Sequence, residues 1–130
     1  MRVLILDPDW RFARRAQGYL ESLAHLVVVA PHAHEASQKV AHWQPDLVIV
    51  AAELCDSGVL EDLHAAENPP AVLLTGWMDR YARVWRAWRR GGHELLMKPV
   101  FTIEELHQAI VTVLENAVVG TRTRRLAVSA

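Results

Sequence analysis

Five consecutive apolar residues, Leu47-Val48-Ile49-Val50-Ala51, follow the breaker Pro45-Asp46. The run is far shorter than the roughly 20 residues a membrane helix needs. It is also too uniformly apolar for a strand with one wet face. A strand of this kind is covered on both sides, as a central strand of a parallel sheet is. In open parallel sheets, ligands and chemistry gather just beyond the carboxyl ends of such strands. Here that place is held by Ala51, Ala52 and Glu53.

The other segments fit around this strand. Val3-Leu4-Ile5-Leu6 is a second apolar run, within a predicted strand from Arg2 to Leu6 that Asp7-Pro8-Asp9 ends. From Trp10 to Leu23 the spacing changes. Phe12, Ala16, Leu20 and Leu23 recur at four, four and three, the period of an amphipathic helix, with Arg11, Arg14, Arg15 and Glu21 on the other side. Leu26 to Val29 predicts another buried strand, Pro31 to Glu35 a loop, and Ala36 to Trp43 a short helix. Asp56-Ser57-Gly58 offers caps for a helix running to about Ala66, which Asn68-Pro69-Pro70 stops. Ala71 to Thr75 is a fourth strand. Asp79 to Arg90 is a helix ended by Gly91-Gly92, and Glu94 to Met97 is a short fifth strand. Thr102 and Glu105 form a capping box, opening a helix with Ile103, Leu106, Ile110, Val113 and Leu114 on one face.

Strand and helix thus alternate five times. Such connections are right-handed and give a parallel sheet flanked by helices. The expected fold is α/β, a flavodoxin-like doubly wound (βα)5 sandwich with strand order 2-1-3-4-5. Its crevice lies over the ends of the first and third strands, which carry Asp7 and Ala51. The expected domain spans residues 2–116, and residues 117–130, with Gly120 and several arginines, form a flexible tail or the start of a linker.

Bulk properties narrow the function classes. The 130 residues suit one domain with one core. Fourteen basic against fifteen acidic residues leave a net charge of −1, so no global field points to nucleic acid. The lone Cys55 rules out an intrachain disulfide and fits a reducing cytoplasm. The N-terminus lacks the apolar length of a signal peptide, and no membrane association is expected. There is no internal repeat, Gly-rich phosphate loop, G-x-S-x-G or H-E-x-x-H.

Four segments stand in order, each at a strand end: Val3 to Asp9, Pro45 to Leu54, Leu73-Leu74-Thr75-Gly76, and Leu95-Leu96-Met97-Lys98-Pro99-Val100. Together they resemble the receiver domain of bacterial two-component response regulators, over residues 2 to 116. That family carries an acidic pair after its first strand and an acceptor Asp after its third. A Thr or Ser follows the fourth strand, and Lys-Pro follows the fifth. The resemblance implies a signalling domain that takes a phosphoryl group onto the Asp and rearranges the face made by its fourth helix, fifth strand and fifth helix. It also implies a cis Lys98-Pro99 peptide.

The departures from the pattern decide what function is expected. Counted from Pro45-Asp46, the acceptor position falls on Ala51. Asp7 matches the first acid of the pair, but Pro8 replaces the second. The aromatic switch position, three before the family's Lys, is Leu95. Thr75 and Lys98-Pro99 remain. Phosphoryl transfer needs a carboxylate nucleophile, which a methyl group cannot supply. It also needs Mg²⁺, held by carboxylates that Pro8 and Ala51 do not provide. No acyl-phosphate, no Mg²⁺ or other metal, no cofactor and no enzymatic activity are therefore expected. The expected function is that of a pseudo-receiver acting through protein contacts or as a homodimer.

Individual residues carry narrower expectations. Asp7 and Lys98 form an ion pair across the old pocket, and Thr75 bonds backbone. Glu53 stands in for a phosphate, or pairs with Lys98, or, the favoured reading, is a solvated loop carboxylate. Asp9 either replaces the acid lost at Pro8 or, again favoured, faces solvent. His32 and His34 lack the further ligands of a metal site. Trp85 and Trp88 share part of one helix face beside Arg80, Arg83, Arg86, Arg89 and Arg90. They are either core residues or, with Arg89, an interface of the kind receivers use for dimers, kinases or output domains. Nucleic acid is a weaker reading of that patch and of Arg122, Arg124 and Arg125. Two alternatives stand beside the main one. The first is a phosphate-responsive receiver using Glu53 or Asp9. The second is a small-molecule binder or enzyme reusing the crevice over Asp7, Thr75 and Lys98, with Lys98 as nucleophile if burial lowers its pKa.

Overall fold

Five strands lie in the order β2-β1-β3-β4-β5, all parallel, in the computed structural model, which describes residues 1–100 and 102–120 apart from the Ser37 side chain. They are β1 (Arg2–Leu6), β2 (Leu26–Ala30), β3 (Leu47–Ala51), β4 (Ala71–Trp77) and β5 (Glu94–Lys98). The helices between and after them are α1 (Trp10–Ser22), α2 (Ala36–Trp43), α3 (Val59–Ala65), α4 (Tyr81–Arg90) and α5 (Ile103–Val119). This is the flavodoxin-like order expected from the alternation of apolar runs. The strands are apolar throughout because each serves two cores. Leu4, Leu6, Val48, Val50, Val72 and Leu74 face one side, with residues of α2, α3 and α4. Val3, Ile5, Leu47, Ile49, Ala71 and Leu73 face the other, with residues of α1 and α5. Successive side chains of a strand point to opposite faces, so β3, flanked by β1 and β4, has all five residues buried.

Several boundaries differ from the sequence expectation, each for a local reason. β2, an edge strand paired only with β1, is half-exposed rather than buried. Leu23, expected on the buried stripe of α1, is the C-cap residue and is exposed. The Pro31 to Glu35 loop contains a 3₁₀ turn at Ala33–Glu35. Asp56 and Ser57 do not cap α3. They lie in a 3₁₀ segment, Ala52–Ser57, where the Ser57 hydroxyl donates back to the Leu54 carbonyl. Gly58, at φ 85°, then turns the chain into α3, a left-handed conformation that glycine adopts without a Cβ penalty. The stretch Met78–Arg80 is 3₁₀ rather than the first turn of α4, and β4 extends two residues past Thr75. Thr102 caps α5 as expected, accepting from the Glu105 N–H at 3.2 Å. That helix continues to Val119, so residues 117–119 are helical, while Arg122, Arg124 and Arg125 lie outside the described residues. Among the described residues no helix is long and apolar enough to cross a membrane.

Candidate functional site

Parallel pairing brings four chain segments to one rim. Leu6 is level with Val50, Ala51 with Thr75, and Trp77 with Lys98. Asp7, the residue after β1, therefore projects beside the ends of β3, β4 and β5. Its Oδ2 accepts from the Thr75 hydroxyl at 3.0 Å and from Lys98 Nζ at 2.7 Å, and its Oδ1 accepts the Asp9 N–H at 2.9 Å. All three of Asp7, Thr75 and Lys98 are buried. The Asp7–Lys98 pair expected from the sequence thus forms, and the cis Lys98-Pro99 peptide is present. Thr75, expected to bond backbone, bonds the Asp7 carboxylate instead. The even spacing along β4 puts its side chain at the rim.

Lys98 is the centre of the site. Its side chain is 1% exposed, and Asp9 Oδ2 stands 3.2 Å away as a second carboxylate. The Phe12 ring lies 4.8 Å and the Trp77 ring 5.3 Å from the ammonium, within cation–π range of both ring centroids. A buried ammonium is tolerated only with such company, because desolvation costs several kcal/mol. Asp9 therefore does not face solvent, contrary to the favoured expectation. Its Oδ1 caps α1 by accepting the Phe12 N–H at 3.4 Å, and this cap turns the other oxygen toward Lys98. Phe12 was legible only as a core residue of α1. Trp77 was not singled out, although a signal existed: two residues past Thr75 on a strand is the same face, and the register sets Trp77 opposite Lys98.

The remaining sequence candidates are dispersed. Ala51 is fully buried at the end of β3, presenting a methyl group, and Pro8 is exposed in the loop. Glu53 is half-buried in the 3₁₀ segment and makes no ion pair with Lys98. Cys55, two residues on, is buried and donates its thiol hydrogen to the Ala51 carbonyl at 3.5 Å. Burial, then the nearby Asp56 and Glu61 carboxylates, push its pKa up to about 12, so it stays a thiol and is no nucleophile. Leu95 is buried in the core shared with Val84 and Trp88 of α4, while Pro99 is exposed. Trp88 belongs to that core. Trp85 is half-buried, with its ring edge-on to Tyr81, and Arg89 is exposed. His32 and His34 stack on each other. No group of three or more His, Cys, Asp or Glu among the described residues is arranged to hold a metal.

The donors present fit a hard cation poorly. Mg²⁺ takes oxygen ligands in near-octahedral geometry. Here Asp7 is committed to Thr75, Lys98 and the Asp9 N–H, and Asp9 is divided between Phe12 and Lys98. Ala51 contributes no side-chain oxygen. The Lys98 ammonium already sits between two carboxylates and two rings.

No family model matches the chain, and no curated protein does. Solved structures do. The signal receiver domain of a modulated diguanylate cyclase from Desulfovibrio desulfuricans is 24% identical, over 90% of this chain and 96% of that one, with a TM-score of 0.73. A response regulator signal receiver domain from Bermanella marisrubri is 22% identical, over 87% and 97%, at 0.74. A two-component response regulator from Clostridium difficile is 20% identical, over 88% and 96%, at 0.73. At these identities the likeness establishes architecture: the chain has the flavodoxin-like fold that receiver domains share.

Proposed function

We propose that this chain is a receiver-like signalling module that works through protein contacts and without phosphorylation. The observation that carries the reading is the state of Lys98, locked between Asp7 and Asp9 under Phe12 and Trp77, at the rim where β3 ends in Ala51 and offers only a methyl. Fold alone does not give this reading, since this fold hosts many activities. The argument is one of chemistry. Phosphoryl transfer depends on a nucleophile and on charge stabilisation by metal and lysine. The nucleophile is missing, and the lysine is already neutralised. The module binds no Mg²⁺, catalyses no reaction and resides in the cytoplasm, consistent with its single reduced cysteine. Its signalling face is that of α4, β5 and α5, where Trp85 and Arg89 reach the surface. A histidine kinase or an output domain is the kind of partner implied.

The entry of Asp9 into the pocket favours one competing reading, a receiver that recruits a different carboxylate. One experiment separates the two. The protein is incubated with acetyl phosphate, and separately with beryllofluoride, with and without Mg²⁺, while intact mass and tryptophan emission are followed. Trp77 lies against the pocket, so occupation would alter its emission. No added mass and no Mg²⁺-dependent change is expected. A phosphoryl adduct would defeat the proposal.

A further inference from the structure

The stretch 78–90 holds five arginines against one carboxylate, Asp79, in a chain whose overall charge is −1. Arg90 is engaged within the fold. Its guanidinium donates to the Cys55 carbonyl at 2.6 Å and lies 3.9 Å from Asp56. The other four differ. Arg80, Arg86 and Arg89 are exposed and Arg83 half-buried, and among the described residues none of them makes an ion pair. Between them runs an apolar stripe. Met78 is 66% exposed and Tyr81 57%, and Tyr81 meets the half-buried Trp85 edge to face at 5.7 Å. Tyr81 and Trp85, four apart on α4, share one face, and Met78 lies in the 3₁₀ turn that leads into that helix. Tyr81, Ala82, Trp85, Arg86 and Arg89 line a shallow groove along α4.

We infer that this groove docks an acidic amphipathic segment of another protein, with its apolar side chains on the Met78-Tyr81-Trp85 stripe and its carboxylates on Arg86 and Arg89. The inference rests on the protein-contact reading above and specifies its partner, but it does not depend on the loss of phosphotransfer. Charge decides among occupants. A second copy applied α4 to α4 would set these arginines against their own kind, and juxtaposed like charges across an interface cost several kcal/mol. A nucleic acid would satisfy the charge, yet sequence-tolerant binding to single strands stacks bases on aromatic faces. Here the two rings are held edge to face with each other, and the larger, Trp85, is half-buried, so neither offers an open flat face. An acidic helix with an apolar seam satisfies both the charge and the stripe, and apolar anchors in a helix groove are an established mode of recognition.

The probe is a fluorescein-labelled synthetic helix with Leu and Phe at i, i+3, i+4 and i+7 and Glu elsewhere. Its binding to the full chain is followed by anisotropy. Controls are the same helix with Lys for Glu, a labelled single-stranded oligonucleotide, and sedimentation of the protein alone. The acidic helix is expected to bind in a salt-sensitive manner, and the lysine helix not to bind. The double variant Arg86→Glu/Arg89→Glu should weaken binding by about tenfold or more while leaving the circular dichroism unchanged. Tyr81→Ala should weaken it without altering the salt dependence. Failure of the acidic helix to bind overturns the inference. So does equal or tighter binding of the oligonucleotide, and so does a dimer that the arginine variants abolish. Binding that appears only with acetyl phosphate and Mg²⁺ would keep the groove and defeat the phosphorylation-independent reading, so the two failures are told apart.

Discussion

Lys98 is where the site is most exposed to single substitutions. Its ammonium is the counter-ion of a fully buried carboxylate, so Lys98→Met strands Asp7 in the interior. Breaking a buried pair from one side typically costs about 3–5 kcal/mol, which urea unfolding would register. The double variant Asp7→Asn/Lys98→Met should recover most of that loss, because it removes both charges and leaves an amide that can still accept the Asp9 N–H. A single variant as stable as the parent would mean that the pair is not formed. Cys55 gives a separate, pH-dependent prediction. The folded protein keeps the thiol proton up to about pH 12, whereas the ordinary value is 9.0. Between those two values the folded state binds more protons than the unfolded one, so this group's contribution to stability falls as pH rises, by at most about 1.4 kcal/mol per unit. Well below pH 9 it contributes no slope. Cys55→Ala should therefore flatten the alkaline loss of stability relative to the parent in urea titrations across that window.

The contact between β4 and α4 controls the arginine-lined groove, since it sets how α4 lies on the sheet. Gly76 permits this approach. A Cβ added there would meet Val84 Cγ2 at 2.3 Å, closer than atoms can stand. Gly76→Ala must push α4 outward or strain β4. Overpacking of this kind costs about 1–3 kcal/mol. Thermal unfolding should show the loss, and Val84→Ala in the same chain should return part of it by vacating the space. An additive penalty from the two substitutions would mean that they do not meet. The sequence showed a glycine after Thr75 but not its purpose, because the side chain it makes room for, Val84, belongs to another element.

At the scale of the molecule, the sheet couples two cores that share no side chains. Ile49 belongs to the core of α1 and α5, whereas Trp88 belongs to that of α2, α3 and α4. If the sheet joins them into one cooperative unit, Ile49→Ala shifts both together. The expected cost is about 2–5 kcal/mol. Unfolding followed by tryptophan emission and by far-ultraviolet dichroism should move by the same amount and remain coincident. Separate transitions would show that the two faces unfold independently.

The fold was legible because its signals are local and repeat. Each apolar run of about five residues between helical periodicities marks a strand, and right-handed crossovers leave few ways to order such strands. That Ala51 closes the central strand and presents only a methyl there was legible for the same reason, as a matter of counting from Pro45-Asp46. The exposure of β2 was not, since an edge is defined by which neighbour is absent. Nor were the partners of Lys98 beyond Asp7. Asp9 is two residues from Asp7 in the chain and looks like loop polarity. Trp77 looks like the end of a strand, and Phe12 like helix core. Only the parallel register and the turn of α1 set these groups around one ammonium. Residue types and periods are written along the chain, whereas the company a buried charge keeps depends on distances between elements that sequence spacing does not encode.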